Sequence, residues 1–427
     1  MTRKISRIAF VLCAAAIVTG VPGFAREEYT RNFDQTQTVP SGQRIRIEHR
    51  LGDVVVRTQA RPEVIVHALI RSSAPDMNEA KRYADNIRIA LQPSSSGLLI
   101  ETQYPKQDTG GMFGGRNISY SVSLEVTIPE SAPLELRNSF GAVTVTDLKS
   151  GGDIATSHGK LVFRNGRGSQ RLENSFAAVE VSSNAGDVTL STTNGAVDVT
   201  DVSGTVTVKN RFARVTIARV KGNVTVDNGN GNVEASGISG SAILTTSFGA
   251  VHFDDIGGQL SIRAMNSGVK GAKAGDSVSV DNSFSPVEIS GVRKTLKVVS
   301  QNSSVTASDI GEDMTVKASF GAVHGHRIGG AVDVENQNGA VNVSLTARQS
   351  CKPVNVKTSF GAIRLGVQEN ASYAVTAKTS FAHIHSDFPV LMQGALGADS
   401  LTGKIGGGAC PMQLRSQNGA IEIVRAR

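Results

Sequence analysis

A phenylalanine returns every 36 residues through the middle of this 427-residue chain, at Phe140, Phe176, Phe212, Phe248, Phe284 and Phe320. Halfway between them stand His158 and then Asn194, Asn230, Asn266, Asn302 and Asn338, also 36 apart. The unit is therefore 18 residues, with an aromatic ring and a polar residue alternating at one position. Self-similarity at a fixed short period marks a solenoid, in which each unit contacts only its neighbours.

With the Phe/Asn position numbered seven, apolar residues recur at positions one, three, ten, twelve and fifteen. One rung reads Val188, Leu190, Val197, Val199 and Val202; the next reads Val206, Val208, Val215, Ile217 and Val220. Alternation with period two predicts two short strands per rung and a third short side at position fifteen. Gly or Ala at position eight and Gly at seventeen (Gly204, Gly222, Gly240, Gly258) mark the corners. A single rung buries too little apolar surface to offset the entropy of ordering it. It becomes stable when its strands hydrogen-bond to rungs ~4.8 Å above and below. The expected fold is all-β, a parallel β-helix solenoid of 18-residue rungs. The regular part spans 134–346, and its twelve rungs in register extend about 53 Å. The lack of a sixfold repeat favours a right-handed helix.

Position five carries Asn138, Thr156, Asn174, Thr192, Asn210, Asn228, Thr246 and Asn282. By parity it points inward at a corner, where a stacked ladder of amides and hydroxyls satisfies backbone groups along the axis. The alternation at position seven reads as structural too, each Phe ring filling the space above a small Asn-Gly corner. On that reading Phe248→Asp destabilises the fold strongly. The competing reading is an exposed aromatic ladder on which sugars stack.

Residues 26–133 leave the 18-residue register and are expected to form a β-rich cap. Such a cap covers strand edges that an open β-helix would expose. Strands are expected over 44–48, 53–57, 64–71, 87–92, 98–103 and 119–128, with a short helix over 77–84. The run Leu51-Gly52-Asp53-Val54 matches the corner Phe140-Gly141-Ala142-Val143, so an early rung is possible there. The Gly-rich segment 105–117 reads as a loop. Beyond Val343 the spacing slips. Phe360, Phe381 and Asn418 head irregular rungs of a C-terminal region, 347–427, in which 386–411 reads as an insertion or cap.

Residues 1–25 read as a secretory signal: Arg3, Lys4 and Arg7, then the apolar run Ile8 to Gly20, then Gly23-Phe24-Ala25 before Arg26. The apolar run is shorter than the ~20 residues of a membrane span, which favours cleavage over an anchor. Cys13 lies too early in it for a lipoprotein site, and no other span follows. Cleavage leaves 41 Lys and Arg against 37 Asp and Glu, a balance of +4. These charges are scattered, without the basic patches and interleaved aromatics of a nucleic-acid binder. The exported chain keeps Cys351 and Cys410, and such a pair in an oxidising compartment is more often a disulfide than a catalytic site. Naive register places the two Cys two rungs apart, ~9.6 Å, beyond the ~7 Å reach of a disulfide. A bridge therefore requires the irregular segment to shift the register.

Catalytic and metal patterns are sparse. Asp147, Asp201, Asp255 and Asp309 share position fourteen but lie three rungs, ~14 Å, apart, too far to share a proton or a metal. Asp254 and Asp255 point to opposite sides if the strand continues. His324 and His326, and His383 and His385, each share a strand face and are the weak metal candidates. No cofactor, catalytic residue or dedicated metal set is expected.

The repeated phrases Asn/Thr-Ser-Phe-Gly-Ala-Val and Asn-Gly-Ala-Val, each followed by x-Val and a Gly, resemble a bacterial family of β-strand-repeat domains labelled "putative adhesin" and of unknown function. Residues 44–56, with Ile45, Ile47, Gly52, Val54 and Val56, resemble its opening segment. The resemblance covers most of 35–427 and implies an exported parallel β-helix; it brings no catalytic residues. The function expected is that of an exported, non-enzymatic, adhesin-like protein in the periplasm, at the outer-membrane surface or outside the cell. Its partner would be envelope polysaccharide or a surface protein, met along a repetitive face. The alternatives are an envelope scaffold that polymerises end to end, as bactofilins do, and a polysaccharide lyase or hydrolase.

Overall fold

The computed structural model describes residues 26–105, 118–346, 351–393 and 399–426; the expected leader and nearly all of the Gly-rich loop lie outside this set. The chain is a parallel β-solenoid. In a typical rung Val206–Phe212 and Val215–Val220 are the two strands, and each pairs in parallel with its equivalent 18 residues on, Val206 with Val224 and Val215 with Val233. The five apolar positions face inward; Val206, Val208, Val215, Ile217 and Val220 are fully buried. The equivalent residues of neighbouring rungs form one continuous core along the axis. Shape is matched between rungs as well. Phe253 occupies space that Gly271, the equivalent residue of the next rung, leaves free; a Cβ there would lie 2.3 Å from the ring.

There are two sheets rather than two plus a third side. Position fifteen is the end of the second strand, as in Val251–Ile256. The backbone between is left-handed at position fourteen, with φ of 58° at Asp201, 54° at Arg219, 59° at Asp255 and 56° at Asp309. This bulge inserts one unpaired residue and switches the strand's parity. Positions thirteen and fourteen therefore both face solvent, and Asp254 and Asp255 are both exposed instead of lying on opposite sides. Asp tolerates the left-handed region better than most residues, a local reason for the shared aspartates. The rungs from Asp147 to Arg327 kink at the same place, so pairing between them stays in register on both sides of the kink, as with Thr200 to Ala218 and Val202 to Val220; the rung of Val341 lacks the extra residue, and Leu345 pairs with Ile328 across a shift of register.

The stack does not follow the order of the sequence at either end. Arg44–Glu48 lies between Gly97–Gln103 and Leu134–Arg137, and Val54–Gln59 lies between Ser119–Pro129 and Val143–Thr146. At the other end Cys410–Ser416 lies between Val354–Thr358 and Tyr373–Lys378, and Ile421–Arg425 lies between Ile363–Val367 and Ile384–Ser386. The first and last rungs are thus each inserted one place in from the end. This corrects the two-rung separation of the cysteines. Cys351 and Cys410 are in adjacent rungs, 5.2 Å apart at Cα, and form a disulfide.

Antiparallel strands cover both sheets at the N-terminal end and one of the two at the C-terminal end, where the other sheet ends, among the described residues, on Ile384–Ser386. Glu63–Ala74 pairs with Ser119–Pro129 and is itself flanked by Glu27–Thr38, a strand the sequence pattern missed; Arg88–Ser94 covers Gly97–Gln103. Ser400–Ile405 covers Tyr373–Lys378, with Val390–Met392 beyond it. Among the described residues both sheets are open rows, one running from Glu27–Thr38 to Ile384–Ser386 and the other from Arg88–Ser94 to Val390–Met392, with no strand pairing that closes either. The helix Met77–Asn86 packs on Glu27–Thr38 and Glu63–Ala74. Asp76 caps its first turn by accepting from the Glu79 amide, and Arg31 donates to the Ala84 and Ile87 carbonyls at its end (3.1 and 2.7 Å).

Position five forms the inner corner ladder. Asn174 donates to the position-eight carbonyls of the rung below and of its own rung, Gly159 (3.0 Å) and Ala177 (2.8 Å). Asn336 repeats this with Gly321 (2.9 Å) and Gly339 (3.0 Å). The ladder continues into the cap as His49 and Thr102, joined by Nδ1 and Oγ1 at 3.0 Å. Burial pushes the His49 imidazole down from 6.5 to about 4, against smaller opposing effects of the Val122 and Leu51 backbone and of Asp53. Below pH 6.5 the unfolded chain protonates this histidine while the folded chain does not. Its contribution is complete above pH 6.5 and is lost as pH falls towards 4, a loss of roughly 3 kcal/mol. We expect His49→Asn to flatten the decline of melting temperature between these limits; an unchanged slope would assign that decline to other groups.

Candidate functional site

The outer corner is made by position seven. Phe140, Phe176, Phe212, Phe248, Phe284, Phe320, Phe360 and Phe381 stand 40–83% exposed. This overturns the expectation that the rings fill the corner. Parity would bring position seven inward, but the inner corner is already occupied by the position-five side chains, whose amides reach across to the position-eight carbonyls. At Phe248 the chain turns at eight, where Gly249 has φ of 130° and an added Cβ would lie 2.4 Å from the Gly231 backbone; in the rungs of Asn266, Phe284 and Asn302 the left-handed residue is position seven itself, with φ of 51°, 64° and 59°. The ring is left outside the turn. Phe248→Asp consequently removes no core contact, and the strong destabilisation anticipated from sequence is withdrawn.

The alternation is kept in space where the sequence order breaks. After Phe320, Asn338 and Phe360, the next rung in the stack is the inserted C-terminal one, which brings Asn418; Phe381 follows. At the other end Leu51 lies next to Phe140, and Tyr104 follows Leu51. An aromatic therefore occupies every second rung from Tyr104 to Phe381, at a step of ~9.6 Å. Tyr104 ends the series half-buried, its hydroxyl 3.2 Å from the Leu51 amide, and burial pushes its pKa up to about 12. In one place the gap between rings is filled. His158 stacks on Phe140 and Phe176 with centroids 4.5 and 4.6 Å away and planes within 18°. These three rings thus face along the solenoid axis. Asn194, Asn266, Asn302 and Asn418 are exposed in the corresponding gaps, and Asn230 and Asn338 are half-exposed.

The columns beside the rings are low. At position six stand Ser139, Ser175 and Ser247, and at position nine Ala142, Ala178 and Ala250. The rung of Phe212 differs, with Arg211 and Arg214, and the Arg211 guanidinium lies 5.4 Å from the ring centroid.

The position-fourteen side carries ion pairs. Arg219 holds Asp201 through two hydrogen bonds (2.7 and 2.8 Å), and Arg327 holds Asp309 in the same way. These contacts hold both carboxyls below the usual range. Lys273 pairs with Asp254 at 3.2 Å. An open groove of about 630 Å³ runs past Lys273, Gly291, Arg293 and Arg327. His324 and His326 are exposed on one sheet face, with His326 Nδ1 2.9 Å from Ser344 Oγ; His385 pairs with Asp387 at 3.0 Å. Among the described residues no three His, Cys, Asp or Glu side chains converge on a metal position.

These features define a β-solenoid with an amide-lined inner corner and an aromatic outer one. The chain belongs to the Toastrack DUF4097 family, whose model matches residues 98–424. No curated protein matches it. A solved structure described as a "putative cell adhesion protein" from Clostridium sporogenes aligns over 93% of this chain and 100% of its own. Its identity is 8% and its TM-score 0.18, too low to bear on fold or function.

Proposed function

We propose that this chain is an exported, non-enzymatic, adhesin-like protein that holds a cell-envelope component, polysaccharide or protein, against its aromatic corner. It would act in the periplasm, at the outer-membrane surface or outside the cell. The observation that carries the reading is the column of exposed Phe kept at every second rung even where chain order is broken. A long row of exposed aromatic rings rimmed by polar residues is the kind of surface that marks interaction sites, and packing into the corner does not account for it. The basic and apolar leader supports export. The pairing of Asp201 and Asp309 with arginines supports a non-enzymatic role, since carboxylates so held are poor proton donors at neutral pH. Antiparallel covers at both ends count against the end-to-end scaffold.

The test is co-sedimentation of the chain from Arg26 onward with separated envelope fractions and with buffer alone. We expect pelleting with one fraction, lost in a Phe212→Ser/Phe248→Ser/Phe320→Ser variant of unchanged melting temperature. Equal pelleting of parent and variant would remove the corner from the reading.

A further inference from the structure

The aromatic corner is complementary to itself. Rings alternate with gaps at one period, so a second ladder shifted by one rung places each of its rings in a gap of the first. A ring in such a gap would lie ~4.8 Å from the ring on either side, within the ~4.5–7 Å range of favourable aromatic pairs. The chain already contains one instance: His158 occupies the gap between Phe140 and Phe176 at 4.5 and 4.6 Å. We propose that the partner of the aromatic corner is a second copy of this chain, the two ladders interdigitating ring into gap about a two-fold axis. This rests on the reading of the corner as a binding surface and names its occupant.

Three observations favour a second copy. Its period matches at every step, whereas a polymer with a different repeat drifts out of register along the ladder. The flanking columns are low beside most Phe, with Ser at position six and Ala at position nine as around Phe248 and Phe320, and Thr193 and Gly229 flank the gaps of Asn194 and Asn230; the longer, unbranched Met265, Gln301 and Gln337 flank the gaps further along. The area also suffices. At ~200 Å² per whole residue, the seven Phe from Phe176 to Phe381 in their observed exposures present roughly 800 Å², equal to the ~800 Å² per partner of a standard interface. A two-fold pairing is closed and isologous, so it yields a dimer rather than a fibre. The filled gap at His158 leaves pairing to the stretch from Phe176 to Phe381.

Sedimentation velocity over a concentration series tests this, with two triple variants beside the parent from Arg26 onward. Phe212→Ser/Phe248→Ser/Phe320→Ser removes rings. Asn194→Phe/Asn230→Phe/Asn338→Phe fills gaps, at positions whose ladder neighbours already carry Phe. We expect a dimer for the parent and a monomer for both variants, each melting as the parent does. The gap-filled variant is decisive because it adds exposed apolar surface while removing the slots. Association of that variant as tight as the parent's would overturn interdigitation in favour of unspecific stickiness, and a parent that stays monomeric throughout would overturn self-pairing. A monomeric parent that still pellets with one envelope fraction through its Phe residues leaves the binding surface intact and only its occupant wrong. Loss of both results removes both.

Discussion

Deleting residues 410–427 is expected to unfold about sixty residues, not eighteen. The deleted segment is the inserted rung, and Cys410, Met412, Leu414, Ile421 and Ile423 are all buried in it. It pairs on one side with Val354–Thr358 and Ile363–Val367 and on the other with Tyr373–Lys378 and Ile384–Ser386. Without it the outer rung loses its whole parallel ladder, and the antiparallel Ser400–Ile405 and Val390–Met392 lose the strand they cover. Five buried side chains at ~2 kcal/mol each are about 10 kcal/mol of lost burial, comparable to the stability of many whole domains. Limited proteolysis with mass spectrometry should return a resistant fragment ending near Val367, where the parent resists cleavage through residue 405. A stack built in sequence order predicts the reverse, with 373–386 still folded on 354–367. A resistant fragment that retains 373–405 would therefore refute the inserted arrangement.

That arrangement could not be read from the repeat. Every rung shows its neighbours the same buried positions, so Met412 and Leu414 would suit the place above Val354 and Val356 or the place one rung further out. The pattern identifies a rung but not its level. The 18-residue rung, the inward apolar positions and the inward Asn/Thr at position five follow from periodicity alone, because each is imposed by a local parity repeated many times. The helix at Met77 and the Leu51-Gly52-Asp53-Val54 rung were likewise readable, the second confirmed by the pairing of Val54 with Val143. Parity failed where the backbone leaves the extended region. The shared aspartates at position fourteen were the visible trace of a left-handed residue, together with the odd step from twelve to fifteen. Arg219, Lys273 and Arg327, which adopt the same conformation, have no preference for it and hid the signal. At position seven the same extrapolation turned exposed rings into core, because the volume inside the corner belonged to side chains two residues earlier. The binding corner was thus present in the sequence as a spacing, and its exposure required the turn geometry.

The inner ladder, not the rings, should prove sensitive to substitution, and in a non-additive way. The Ala213 carbonyl accepts from Asn210 of its own rung and from Asn228 of the next, both at 3.1 Å. It is covered by the following corner, where a Cβ on Gly231 would lie 2.3 Å from its oxygen. Asn210→Leu leaves the carbonyl its Asn228 donor. Asn228→Leu leaves it Asn210, and leaves the Gly231 carbonyl the Thr246 hydroxyl at 3.3 Å. Neither amide oxygen has a partner of its own, so each leucine also removes an unpaired buried acceptor, which offsets part of the loss. Each single change should cost ~1 kcal/mol, the net value of an ordinary hydrogen bond. The double change strips the covered carbonyl of both donors and adds the ~1–3 kcal/mol cost of a buried polar group left unpaired. A double-mutant cycle on urea unfolding should therefore give a coupling of at least ~0.5 kcal/mol in the destabilising direction. Additive losses would mean that water reaches Ala213 and that the ladder acts by packing alone.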